Sequence, residues 1–174
     1  MVQKDSRERI IQEFFDSPRK NFQMRELSRR TKVAQPSVMN HLKSLVREGL
    51  VMKEKKSVYY SFRANKENIN FKLLKQQNLV WKIHASGLLN HLEVNFIPSC
   101  ILLFGSGSRG EDTETSDLDL FVQAEENEVD LQKYEKKLNR KISLFFEPKI
   151  DTLSKELLNN LINGQVLSGY LKVF

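Results

Sequence analysis

Two carboxylates in one short apolar segment are the residues of this chain best placed to do chemistry. Asp117 and Asp119 are one residue apart within Ser-Asp-Leu-Asp-Leu-Phe-Val at 116–122. Because side chains alternate between the two faces of a strand, both carboxylates project from the same face if the segment is extended. Neighbouring carboxylates repel each other, and a divalent cation with oxygen ligands relieves that repulsion. The pair therefore predicts a magnesium or manganese site.

A glycine-serine turn after an apolar segment is the second feature that could do chemistry. Residues 102–110 read Leu-Leu-Phe-Gly-Ser-Gly-Ser-Arg-Gly, which predicts a strand that ends in a tight turn. Glycine lets the backbone approach a ligand closely, and free backbone N–H groups with a small hydroxyl suit a phosphate group. Together, the turn and the acids predict a site for a nucleoside triphosphate with magnesium.

In residue types and order, these two segments resemble the signature of the minimal nucleotidyltransferases of the DNA polymerase β superfamily. That signature is an apolar strand, Gly-Ser, a spacer, and Asp-x-Asp between apolar residues. Gly105-Ser106, Arg-Gly at 109–110 and Ser-Asp-Leu-Asp-Leu at 116–120 match it. The resemblance implies a small α/β domain with a mixed sheet. The alternative interpretation is a hairpin with a glycine turn and two solvated acids.

The resemblance also implies a role for each matching residue. Asp117 and Asp119 would be the catalytic and metal-binding residues, holding ions that bridge the triphosphate and help to activate the attacking hydroxyl. The nucleotide-binding residues that it implies are Gly105, Ser106, Ser108 and Arg109. For Arg109 a second interpretation is open, that of a surface cation near the acids at 111 and 112.

The chain departs from the family on the third strand of this domain. Family members usually carry another aspartate there, as general base and second metal ligand. In Lys-Ile-Ser-Leu-Phe-Phe at 141–146, Ser143 stands where that acid is expected. Serine is neither a base nor a strong magnesium ligand at neutral pH. Glu147 lies four residues further on, roughly 13 Å along a strand, and would substitute only in a different register. Whether the protein is an enzyme is therefore open.

The charge of the chain is divided unevenly. Residues 1–66 contain 16 Lys and Arg against 7 Asp and Glu, whereas residues 67–174 contain 12 against 15. A basic front and a mildly acidic back indicate two modules, the first with an anionic partner. No apolar run approaches the ~20 residues of a membrane span, and the N-terminus lacks a signal-peptide pattern. We expect a cytoplasmic protein, with Cys100 as a buried, unreactive thiol.

The elements of the basic front follow from its apolar spacing. The spacing predicts helices at 6–16, at 24–31 and from 35, and strands at 50–54 and 58–63 joined by 55–57. This segment resembles the winged helix-turn-helix of small bacterial and archaeal repressors. The resemblance depends chiefly on Gln-Pro-Ser-Val at 35–38, His-Leu-Lys at 41–43 and Glu-Gly-Leu-Val at 48–51.

In that family, the third helix enters the DNA major groove and the tip of the hairpin contacts the backbone. The DNA-binding residues implied here are Gln35, Ser37, Asn40, His41, Lys43, Lys55 and Lys56. Of these, Gln35, Asn40 and His41 suit base edges, and the lysines, with Arg29 and Arg30, suit phosphates. The alternative is a protein-docking module with a solvated charged face.

A long helical pattern from residue 66 to about 92 connects the modules, with Gly87 as a point of interruption. Its residues are apolar on more than one side, so it needs more than one neighbour. It either docks both domains or supplies a homodimer interface, because two DNA half-sites require two copies.

These observations predict an α+β chain with three segments. They are a winged helix-turn-helix DNA-binding domain at 1–65, a linker helix at 66–95 and a minimal nucleotidyltransferase-like domain at 96–174. Two functions follow. One is the transfer of a nucleoside monophosphate from a triphosphate to a hydroxyl acceptor, with a small helical toxin as one acceptor that the family suggests. The other is a non-catalytic transcriptional regulator whose degenerate second domain only binds nucleotide.

Overall fold

The computed structural model describes residues 5–56 and 59–173, with Lys56 described by its backbone alone. The chain divides into two compact units, one of residues up to Lys72 and one of residues from Leu73 onward. Within the described ranges, no helix has both the length and the apolar character needed to cross a membrane.

The first unit consists of three helices and a hairpin. Its elements are α1 Ser6–Asp16, α2 Met24–Thr31, α3 Gln35–Arg47, β1 Val51–Lys56 and β2 Tyr59–Ala64, and the strands pair antiparallel. The side chain of Asp5 caps α1 by accepting from the backbone N–H of Glu8 at 2.8 Å. Gly49 follows α3 with φ +74°, a conformation that glycine adopts without strain.

The predicted helices of this unit are confirmed, and so is their buried face. The apolar residues at helical spacing form one core, which includes Ile10, Phe14, Leu27, Val38, Leu42 and Leu45. The hairpin differs in one respect from the prediction. β1 extends through Lys55 and Lys56, which pair with Tyr60 and Tyr59 instead of forming the connection. Ser57 and Val58, predicted as turn and strand start, lie outside the described residues.

The predicted linker helix is two helices, α4 Ile69–Ser86 and α5 Leu88–Phe96. Gly87, between them, has φ +84°, and its left-handed conformation ends α4. Within the second unit, Leu79 and Ile83 of α4 and Leu88 and Leu92 of α5 are buried in one core. The helical pattern therefore forms two helices, and its predicted point of interruption, Gly87, is confirmed.

The second unit is built on a four-stranded mixed sheet. Its remaining elements are β3 Cys100–Leu103, β4 Leu118–Val122, α6 Gln132–Leu138, β5 Ile142–Phe146, α7 Lys155–Ile162 and β6 Gln165–Gly169. The strand order is β5-β4-β3-β6, with β4 and β5 parallel and the other pairs antiparallel. This arrangement confirms the predicted mixed sheet. Residues 165–169, near the end of the chain, form its fourth strand, β6.

The two faces of this sheet are covered by different helices. Leu118, Leu120 and Val122 of β4 lie in the core with α4, α5 and α6. Phe121 lies in a smaller core with Leu161 of α7, so Asp119, two residues before it, belongs to that second face. Ile162 is 51% exposed because α7 faces the sheet with Leu161, one position and about 100° around the helix away.

Candidate functional site

Asp119 lies directly against the glycine turn that follows β3. Gly105 has φ +69°, and a Cβ atom built on it would be 2.5 Å from Oδ2 of Asp119. The backbone N–H of Phe104 also donates to the carbonyl of Asp119 at 3.1 Å. The antiparallel pairing of β3 with β4 therefore brings the turn and this acid together. The carboxylate of Asp119 occupies space that a side chain at position 105 would fill, so the position requires glycine.

The turn begins at Gly105 and continues into a short 3-10 helix, Gly107–Arg109, which backbone hydrogen bonds hold. The carbonyl of Ser106 accepts from the N–H groups of Arg109 at 3.2 Å and Glu111 at 3.0 Å. Ser106 is partly buried, and among the described residues its hydroxyl makes no hydrogen bond. That hydroxyl is available to a ligand at the turn.

The side chains of Ser108 and Arg109, unlike that of Ser106, have partners within the protein. Ser108 is buried, and its hydroxyl donates to the carbonyl of Gly105 at 2.9 Å, so it stabilises the turn from within. Arg109 has an exposed side chain that pairs with Glu111 at 3.0 Å. Such a pair contributes little free energy in water, and the guanidinium can exchange it for a phosphate.

The two acids differ in burial. Asp117 is exposed, whereas Asp119 is partly buried. Burial raises the pKa of Asp119 above its ordinary value, and the negative charge of Asp117 raises it further. A cation at the pair would remove this penalty. The oxygen donors fit a hard divalent ion, but the described residues contain no group of three His, Cys, Asp or Glu side chains arranged around one metal position.

The third strand places Ser143 beside Asp119. β4 and β5 run parallel with Asp119 opposite Ser143, and Ser143 is exposed. Glu147 lies beyond the end of β5, where its carboxylate accepts from the backbone N–H of Lys149 at 3.2 Å. The position adjacent to Asp119 on this strand therefore carries a hydroxyl and no carboxylate.

Sequence reasoning missed a buried ionic cluster next to this turn. Asp112 and Lys75 are each 3% exposed, and their side chains form an ion pair. Lys75 Nζ also donates to the carbonyl of Asp112 at 2.6 Å, and Arg140 Nη1 donates to Oδ2 of Asp112 at 2.9 Å. The partners lie 37 and 28 positions from Asp112 in the chain, so no local pattern indicated the contact.

On the first unit, the predicted DNA-reading residues lie on α3 and the hairpin. Gln35, Asn40 and Lys43 are exposed, as is Lys55, and Ser37 and His41 are partly buried. The side chain of Lys56 lies outside the described part. Arg30, expected at a phosphate, forms an ion pair with Glu13.

The hairpin also carries two exposed aromatic residues that the sequence reading did not single out, Tyr59 and Tyr60. Lys53 Nζ lies 3.8 Å from the ring centroid of Tyr60, a cation–π contact.

The comparisons with known proteins give a family match for each of the two parts of the chain. Residues 5–53 match the bacterial regulatory proteins of the arsR family, and residues 87–171 match the polymerase beta nucleotidyltransferases. Searches among curated proteins and among solved structures gave no match. The two matches confirm the fusion that the motifs predicted. The chain combines a helix-turn-helix domain of a DNA-binding regulator with a nucleotidyltransferase-like domain.

Proposed function

We propose that this protein binds double-stranded DNA and transfers a nucleoside monophosphate from a nucleoside triphosphate to a hydroxyl acceptor. The observation that carries the second part is the contact between the carboxylate of Asp119 and the turn at Gly105. Residues 1–65 would recognise DNA, 66–95 would connect the modules and 96–174 would hold the nucleotide.

We assign different roles to the residues of the turn and to the two acids at 117 and 119. The backbone of Gly105 and the hydroxyl of Ser106 bind the terminal phosphates, and Arg109 exchanges Glu111 for a phosphate oxygen. Ser108 keeps the turn in shape through Gly105. Asp117 and Asp119 would hold Mg²⁺ or Mn²⁺. When bound, such an ion neutralises charge on the triphosphate and on the leaving pyrophosphate.

Ser143 favours a second candidate function, a regulator whose nucleotidyltransferase-like domain only binds nucleotide. Its hydroxyl cannot serve as a general base at neutral pH, and the loss of a general base typically lowers a rate by ~10²–10⁴. Nucleotide binding does not need that base. The two functions therefore share a binding site and differ in whether a covalent product forms.

An incubation with labelled ATP and Mg²⁺ distinguishes the two functions. Candidate acceptors are proteins, including a small helical toxin, and hydroxyl-bearing small molecules. Transfer that is lost in Asp117→Asn supports the first function. ATP binding without transfer to any acceptor leaves the second, and no binding of ATP contradicts both. Lys141→Met, a change at a 78% exposed lysine, is the matched control.

For the DNA-binding module, we propose that α3 lies in the major groove and that Lys43, Lys55 and Lys56 contact phosphates. Each phosphate contact that is lost should weaken binding at all sequences and lower the salt slope by ~1. Binding of Lys43→Ala and Lys55→Ala to duplex DNA, measured over a range of salt, tests this. Affinity that is independent of salt contradicts the proposal.

Two half-sites in the DNA would require two copies of the chain, and we propose a homodimer for that reason. Sedimentation of the protein with and without duplex DNA measures the number of copies. A single copy on a duplex that contains one symmetric site contradicts the dimer.

A further inference from the structure

We infer that Lys75, Asp112 and Arg140 are positioning residues that set the distance between the phosphate-binding turn and the acidic strand. This inference rests on the proposed function, because it assigns the cluster to the same nucleotide site. We call these three residues the ionic cluster.

The cluster is costly as a stability device. Transfer of a charged group from water into a protein interior carries a large desolvation penalty, and apolar residues of similar volume often stabilise such a position equally well. Asp112 and Lys75 are almost fully buried, and Arg140 is largely so. Charged groups differ from apolar groups in that their hydrogen bonds are directional. Ion pairs with hydrogen bonds therefore hold one geometry, which an apolar contact does not.

The geometry that the cluster holds is that of the loop between the turn and β4. Two consecutive residues of α4 bind this loop at two points. Lys75 donates to the backbone carbonyl of Asp112 and forms an ion pair with its carboxylate. The next residue, Gln76, donates from Nε2 to the carbonyl of Ser108 at 2.7 Å and to Oε1 of Gln165 at 2.9 Å.

The turn is thereby fixed at both of its ends. Ser108, which Gln76 holds through its carbonyl, donates from its own hydroxyl to the carbonyl of Gly105. On the other side of Asp112, the backbone N–H of Thr113 donates to Oγ of Ser116 at 2.9 Å, and Ser116 directly precedes the acid at 117. The loop therefore leaves little freedom between the phosphate-binding end and the metal-binding end.

Arg140 extends the same constraint to the third strand. It donates to Asp112 and lies just before β5, whose Ile142 is opposite Leu118 of β4. The ionic cluster thus connects α4, the loop and the entrance to β5, the three segments around the candidate site. A displacement of about 1 Å at such a site can lower function by as much as 10²-fold.

The test compares binding of ATP with Mg²⁺ by the full chain and by two variants. The first is Lys75→Met/Asp112→Leu/Arg140→Met, which replaces the three charged side chains with apolar ones. The second is Arg140→Lys, which keeps the charge and loses the planar guanidinium geometry. Lys141→Met, at the next position on an exposed side chain, is the control. Calorimetry gives the dissociation constant, and thermal unfolding gives the stability of the same samples.

We expect the triple variant to bind ATP with Mg²⁺ at least about 10-fold more weakly at a thermal midpoint close to that of the wild type. We expect Arg140→Lys to lose affinity several-fold, and Lys141→Met to lose none. Wild-type affinity in a folded triple variant overturns the inference and leaves the proposed function intact. If the triple variant does not fold, wild-type affinity in Arg140→Lys overturns it in the same way. A wild-type chain that binds no ATP overturns both.

Discussion

Replacement of Gly105 with alanine is expected to disturb Asp119 far more than it disturbs the fold. Two effects act at this position. The left-handed backbone, φ +69°, is strained for any residue with a Cβ, and that Cβ would be 2.5 Å from Oδ2 of Asp119. The first effect changes the free energy of unfolding, and the second changes the position of a carboxylate.

The chain offers a control that separates the two effects. Gly87 has φ +84°, and a Cβ at that position would meet no atom within 4 Å. Left-handed strain costs about 1–2 kcal/mol, partly offset by about 0.4–1 kcal/mol because alanine restricts the unfolded chain. Gly87→Ala and Gly105→Ala should therefore share a loss of about 1 kcal/mol in unfolding free energy.

Only Gly105→Ala adds the clash. An ordinary van der Waals contact begins near 3.4 Å, so the carboxylate oxygen must move by about 0.9 Å. Because that oxygen is at the end of a side chain, the side chain yields and the strands do not. We expect affinity for ATP with Mg²⁺ to fall by roughly 10- to 100-fold, in line with the effect of a displacement of ~1 Å at a functional site.

Thermal unfolding of both variants, followed by calorimetric titration with ATP and Mg²⁺, measures the two effects separately. Equal midpoints with loss of binding only in Gly105→Ala would support the reasoning. Wild-type affinity in Gly105→Ala would refute the role of this contact. A much lower midpoint for Gly105→Ala than for Gly87→Ala would show that the backbone moves instead of the carboxylate.

Three further predictions concern the same domain. Ser143→Asp adds a third carboxylate beside Asp119, with a repulsion of ~3 kcal/mol at ~5 Å and an effective dielectric constant of ~20. The variant should have a lower thermal midpoint without Mg²⁺ and should be stabilised more by Mg²⁺ than the wild type is. It should also transfer nucleotide faster by ~10²–10⁴. An unchanged rate would contradict the idea that the wild type lacks a general base at this position. Because burial and Asp117 raise the pKa of Asp119, the folded state holds its proton to higher pH than the unfolded state does. The unfolding free energy of the wild type should therefore fall relative to that of Asp119→Asn as the pH rises through and above the ordinary carboxyl pKa of ~4. Unfolding measured as a function of pH tests this, and the opposite trend would refute it. Burial raises the pKa of Cys100 to about 11, so a thiol reagent at about pH 8 should label it only after denaturation. Rapid labelling of the native protein would contradict its burial.

Local chemistry made the helices of the first unit predictable. Apolar residues three and four positions apart define one face of α1 and α3, and Gly49 ends the latter in a left-handed conformation. These signals act within one or two turns of helix. Long-range contacts decided the rest. β1 extends to Lys56 because β2 offers it partners. Ile162 is exposed because α7 packs on the sheet through Leu157 and Leu161.

The candidate site shows the same division. The Gly-Ser turn and the Asp-x-Asp pair indicated a nucleotide site from their residue types alone. Nothing in the sequence connected Asp112 with Lys75 or Arg140, because ionic partners so far apart in the chain carry no spacing rule. The same holds for Gln76, which reaches the turn from α4.

The sequence by itself determined which chemical groups this protein has: a glycine-serine turn, two acids one residue apart, a serine in place of a third, and a basic helix-turn-helix. The tertiary structure decided where they act. Strand pairing put Asp119 against Gly105 and opposite Ser143, and burial converted Asp112 from an ordinary loop acid into the centre of an ionic cluster. Register and burial depend on the whole sheet and its covering helices. The two partners of such a contact lie too far apart in the chain for any short segment to contain both.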